Sequence, residues 1–151
     1  MWFMNKIANP FVELILRSPL HGLMSAAVLL ITYHGSKSGR EYTLPVQYVR
    51  DGNNVFIVPG YAEKKTWWRN LKGGLDVRLK MTGKALSGRG FLLAYEADME
   101  EIIRGLGLYF QRFPASAKIH EVHIGLNGQP DPDDLRRAAK TVKMIRVNLN
   151  E

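Results

Sequence analysis

Apolar residues recur along this chain in two rhythms, one of period two and one of period near three and a half, and the switches between them mark its elements. Ala26 to Tyr33 is a short apolar run ending at a glycine turn, which predicts a buried strand. Tyr42 to Arg50 alternates and is rich in Val, Tyr and Thr. Asp51-Gly52-Asn53-Asn54 then turns the chain into Val55-Phe56-Ile57-Val58, so a β-hairpin is predicted. Pro59-Gly60 stops that strand, and Glu63 to Leu71 reads as a short helix closed by Gly73-Gly74. Two further extended segments, Leu75 to Met81 and Ala85 to Tyr95, flank the turn Thr82-Gly83-Lys84. Asp98 to Phe113 carries Ile102, Ile103, Leu106, Leu108 and Phe110 and predicts a helix capped by Asp98. Asn127 to Pro132 is a loop, Asp133 to Lys140 a short helix and Val142 to Val147 a last alternating strand. At the start, Phe3, Ile7, Phe11, Leu14 and Ile15 stand at helical spacing. They predict an amphipathic helix over residues 1–18 that packs on the body, with a membrane surface as the alternative support. Hairpins and helices without a strand-helix-strand rhythm argue for an α+β domain whose antiparallel sheet curls toward a barrel.

Composition narrows the class. A chain of 151 residues with 46% apolar and 23% charged side chains is long enough for one well-buried core, so residues 1–151 are expected to form a single domain. The absence of cysteine removes disulfides, thiolate nucleophiles and Cys-ligated metal, and fits a reducing cytoplasm. His21, His34, His120 and His123 have no zinc spacing. His120 and His123 could share one helical face, yet they read as a surface or hydrogen-bonded pair, and no metal is expected. The apolar N-terminal run is far short of the ~20 residues that cross a bilayer, and it lacks a basic leader and a cleavage site.

Charge changes the picture most. Ser36 to Gly90 holds eleven Lys or Arg against Glu41, Asp51, Glu63 and Asp76, which is the whole net charge of +7. The pI of about 9.8 raises nucleic-acid binding, but the basic residues fall on several alternating strands and no nucleic-acid motif accompanies them, so none is expected. At the head of the basic segment stands Gly35-Ser36-Lys37-Ser38-Gly39-Arg40, a polar turn between two apolar runs. It can offer backbone N-H groups, two hydroxyls and two cationic side chains to a phosphate.

Three pieces stand in order: that turn, then Thr43-Leu44-Pro45-Val46-Gln47-Tyr48-Val49-Arg50-Asp51-Gly52, then Trp67-Trp68-Arg69-Asn70-Leu71. In this the chain resembles the deazaflavin (F420)-dependent nitroreductase family, well over Leu29 to Met81 and loosely elsewhere. The resemblance implies a split β-barrel, FMN-binding-like and pyridoxamine-phosphate-oxidase-like, of antiparallel strands with flanking helices. It also implies coenzyme F420 as cofactor and transfer of a hydride to an activated small-molecule acceptor such as a quinone, enone or nitro compound. By the same resemblance Lys37, Ser38, Gly39 and Arg40 bind the phosphate, and Lys64 and Lys65 the anionic tail. Pro45, Val46, Pro59 and Gly60 face the ring, and Trp67 and Trp68 wall it. The plain reading of either tryptophan is a core aromatic at a helix-sheet contact, expected for one of the two.

The chain departs from the family pattern at Tyr42, where a second arginine is common, and after the long helix, where the tyrosines of the substrate side are missing. Tyr61 and Tyr109 are left as candidate proton donors. FMN or haem in the same barrel, or a non-catalytic lipid or cofactor carrier, are the alternatives. A homodimer is open, as is peripheral membrane contact through the first helix.

Overall fold

Two tight turns fix the registers of the sheet. Gly52, at φ +63°, turns the chain between Asp51 and Asn54, and Thr82 and Gly83, at φ +50° and +78°, do so between Met81 and Lys84. Two successive residues of positive φ match the right-handed twist of flanking strands, which is why a glycine closes this hairpin. The structure, a computed structural model, describes residues 27–60 and 66–150. The helix expected over residues 1–18, together with Tyr61, Lys64 and Lys65, lies outside them.

Six strands form a closed antiparallel barrel in the order β1-β2-β3-β6-β5-β4. They are β1 (Val28–His34), β2 (Glu41–Asp51), β3 (Asn54–Ile57), β4 (Leu75–Met81), β5 (Lys84–Leu92) and β6 (Ile145–Leu149). Every second residue faces inward: Leu29, Ile31 and Tyr33 from β1, Val77, Leu79 and Met81 from β4, and Ile145, Val147 and Leu149 from β6 share one buried cluster. Trp67, Trp68 and Leu71 of a 3-10 helix (Trp67–Leu71) join it, while Glu63 to Lys65, where a helix is expected to begin, lie outside the described residues.

One strand is paired on two sides in different halves. β2 bonds β1 along Glu41–Gln47 and β3 along Tyr48–Asp51. The Tyr48 N-H points to β1, donating to the Ala27 carbonyl at 3.2 Å. By alternation the nitrogen of Pro45 points the other way, toward an edge that no strand among the described residues occupies. Proline, which has no N-H to donate, is tolerated there and would break the ladder one residue to either side.

By contact density Leu93–Met144 forms a second compact unit, apart from residues 1–92 and 145–151. It holds α1 (Tyr95–Arg112), α2 (Pro114–Ile119) and α3 (Pro132–Ala139). Asp98 does not cap α1 as expected: the helix starts three residues earlier with Ala94 at its N-cap and no side-chain cap, and Asp98, non-helical within it, reaches back so that its carboxylate accepts the Ala94 N-H at 2.9 Å. Asp131 caps α3 by accepting the Asp134 N-H at 3.0 Å, with Pro132 in the first turn. The N-H groups of Thr141 and Val142 still bond the Ala138 carbonyl, which delays the last strand from Val142 to Ile145. His120 ends α2, and Glu121 at φ +57° then redirects the chain. His120 and His123 therefore share no helical face, and no group of metal-binding side chains occurs among the described residues. No described helix is long and apolar enough to cross a membrane.

Candidate functional site

The order of the strands brings the Gly35–Arg40 turn and the start of β4 to one end of the barrel. β1 runs into the Gly35–Arg40 turn, and β4 pairs β1 antiparallel with Thr32 opposite Arg78, so β4 begins at that same end. The 3-10 helix that leads into β4 begins there as well. β3 leaves its ladder at Ile57, opposite Tyr48, heading the same way, which brings Pro59 and Gly60 to this end.

Within the turn four of the six backbone donors already have a partner. The Gly35 N-H donates to the Arg40 carbonyl at 2.8 Å and the Gly39 N-H to the Gly35 carbonyl at 2.9 Å. Arg40 N-H donates to Ser38 Oγ at 3.2 Å, and Ser36 N-H to Asn70 Oδ1 at 2.8 Å. Gly39 sits at φ +68°, a conformation that glycine adopts without strain. Among the described residues this leaves two adjacent donors without a partner, the N-H groups of Lys37 and Ser38, and the ammonium of Lys37 without an ion pair. Two adjacent N-H groups beside a cation match the needs of a phosphate oxygen. The residues present therefore fit a phosphate-bearing cofactor.

An aromatic stack supports the turn from below. Trp67 lies 5.9 Å from Tyr33 and Tyr33 5.6 Å from Tyr42, centroid to centroid, all in stacked orientation. The Tyr42 hydroxyl is 3.2 Å from Ser38 Oγ. A Cβ on Gly35 would come within 2.9 Å of the Tyr42 ring, so Gly35 is the position that lets tyrosine sit here. Burial, with Tyr42 adding, pushes the Tyr33 hydroxyl up to about 12.

The structure separates several residues that the sequence grouped. Pro45 and Val46 face opposite sides of β2, and only Val46 packs on the inner cluster. Trp67 and Trp68 are both core residues, at 2% and 7% exposure. Arg69 lies over the Trp68 ring at 5.4 Å. Pro59 is buried and Gly60 exposed. Tyr109 belongs to the second unit, on α1, buried against Phe110 and Phe113, and burial holds its hydroxyl up at about 12. The basic segment is also divided. Lys37, Arg40, Arg69 and Lys72 lie toward the turn end, whereas Arg50, Lys80 and Lys84 lie toward the opposite end. Arg78 bonds Glu41 at 2.7 Å and Arg89 bonds Asp76 at 2.9 Å. Sequence reasoning quoted Asn70 inside a motif but gave it no role; its partner Ser36 is 34 positions away, beyond any local signal.

A closed six-stranded antiparallel barrel of this strand order is a split β-barrel. Among solved structures, an F420-H2 dependent reductase named FDR-A superposes with a TM-score of 0.54 at 16% identity, over 80% of this chain and 93% of that one. A domain-swapped dimer superposes at 0.57 with 14% identity, over 95% and 98%. Rv3178 of Mycobacterium tuberculosis, which carries the provisional name F420H(2)-dependent quinone reductase, is 36% identical over 56 residues. That stretch is 35% of this chain and about half, 47%, of the relative. The family profile of F420H(2)-dependent quinone reductases matches residues 18–106, and the chain belongs to that family.

Proposed function

We propose that this protein is an F420-dependent reductase that passes a hydride from reduced deazaflavin to a quinone-type acceptor, with enones and nitro compounds as further candidates. The observation that carries the reading is the pair of N-H donors at Lys37 and Ser38, beside the Lys37 ammonium, inside the segment that the family profile matches. When bound, the reduced deazaflavin supplies the hydride, so the protein needs no acid-base dyad of its own. Its own residues bind and orient. Lys37, Ser38, Gly39 and Arg40 hold the phosphate, while Pro59, Gly60 and one of the two opposed β2 residues, Pro45 or Val46, line the approach to the ring. Trp67 and Trp68 stiffen the wall from inside the core rather than standing free in a pocket. Lys64 and Lys65 hold the anionic tail, and Tyr61 and Tyr109 are the two tyrosines left for proton donation. The likeness to a domain-swapped dimer supports a homodimer as the working form.

FMN also carries a phosphate and would meet the same donors, so it is the second reading. Fluorescence titration with F420 and FMN in parallel decides between them, with Lys37→Ala and Arg40→Ala as controls. Micromolar F420 binding that weakens about tenfold in each control is the expected result. Failure to bind F420 at micromolar concentration would end the proposal.

A further inference from the structure

Asn70 joins two elements that the chain separates. Its Oδ1 accepts both the Ser36 N-H, at 2.8 Å, and the Ser36 hydroxyl, at 3.0 Å, while its Nδ2 donates to the Trp67 carbonyl at 2.7 Å. The amide orientation is fixed by this chemistry: turned over, it would set an NH2 against the Ser36 N-H and an oxygen against the Trp67 carbonyl. The Trp67 carbonyl in turn belongs to a helix whose Trp67, Trp68 and Leu71 are locked in the barrel core. An exposed six-residue turn is thus pinned at Ser36 to a helix packed in the barrel core, on the residue just before Lys37.

We propose that Asn70 is a positioning residue for phosphate recognition, acting through Ser36 and resting on the cofactor reading above. By engaging both Ser36 donors it keeps them from the ligand and fixes the direction of the next two N-H groups, those of Lys37 and Ser38. The phosphate therefore meets donors already in place, and the ordering of the turn is not charged against binding. Ser36, whose hydroxyl the sequence offers to the phosphate, becomes a support instead.

The test uses two ligand pairs: FMN against riboflavin, which differ by the phosphate alone, and F420 against its deazaflavin nucleoside core, which lacks the phosphate and the tail beyond it. Asn70→Ala should weaken F420 binding about tenfold or more, as expected for loss of a preorganised charge-assisted contact, and leave the phosphate-free core unchanged. Ser36→Ala, at an exposed position, keeps its N-H bond and loses only the hydroxyl bond; it should show a smaller loss of about threefold with the same selectivity. Thermal melting confirms that each variant folds, and Ser36→Ala carries the test if Asn70→Ala does not. Equal losses for both members of a pair, or no loss for the phosphate-bearing one, would overturn the proposal. Should wild type bind FMN over riboflavin and not F420, the cofactor reading fails while the Asn70 inference is judged on the FMN pair. Binding of none of the four overturns both.

Discussion

Alanine at Gly90 would set a methyl group 2.6 Å from Leu71 Cδ2 and 3.6 Å from Val77 Cγ1, where ordinary contact begins at 3.4 Å. Neither neighbour can step aside easily, since Leu71 is 0% and Val77 4% exposed. Nor can the strand retreat, because Gly90 is paired on both sides, to Leu75 and to Val147. Overpacking of this kind costs about 1–3 kcal/mol. Stiffening the unfolded chain returns about 0.4–1 kcal/mol, which is too little to reverse the sign. A net loss of about 1–2 kcal/mol lowers Tm by roughly 2–8 °C in a chain of this length. Leu71 ends the helix that carries Asn70, so F420 affinity should fall together with stability. Thermal unfolding followed by circular dichroism would compare wild type, Gly90→Ala, Leu71→Val and the double variant. Leu71→Val removes the atom at fault, so the double variant should be more stable than additivity predicts by about 0.5 kcal/mol or more. A Gly90→Ala protein melting within about 1 °C of wild type, or a strictly additive double variant, would refute the overlap argument.

Three other outcomes follow from the site and its supports. The affinity lost in Lys37→Ala should shrink as salt rises, because an exposed charge is screened within about 10 Å at 0.1 M; a salt-independent loss measured by fluorescence titration would point to distortion of the turn. Tyr33 and Tyr109 are both raised from 10 to about 12 by burial, so the folded state keeps protons that the unfolded chain releases. Stability is then full below pH 10 and falls as pH rises toward about 12, and Tyr33→Phe should flatten that slope; an unchanged wild-type melting curve from about pH 9 to about pH 11 would count against it. Asp131→Ala removes the cap of α3 and should cost about 1 kcal/mol, with faster hydrogen exchange at the Asp134 amide as its local signature.

Turn chemistry made most of the barrel legible in the sequence. Asp51-Gly52 and Thr82-Gly83 fix two hairpins within a residue or so, and the hairpin at Met81 and Lys84 even places Asp76 opposite Arg89 by counting. That count could have shown that Arg89 is matched by an acid. Glu41 and Arg78 could not be paired so, because they meet through β1 and β4, whose register no local turn sets. The same limit explains why the basic segment looked like one anion site. Continuous in sequence, it is divided when antiparallel strands carry Lys80 and Lys84 away from Lys37. Asn70 was visible as a letter in Trp67–Leu71, but its role depends on a bond to a turn that only the closed barrel brings near. The site residues at 61, 64 and 65 rest on sequence alone.

The half-paired strand β2 has a consequence for how copies of this protein behave toward one another. An edge with free N-H groups is a template on which a second chain can add a strand, and natural sheets guard such edges with charge or proline. Along Glu41–Gln47 the guard is Pro45, whose nitrogen faces a side that no strand among the described residues occupies. An added strand would find no N-H donor at Pro45, so edge-to-edge pairing between copies is interrupted at that position. Pro45 thereby bears on the colloidal behaviour of the protein, independently of any ligand.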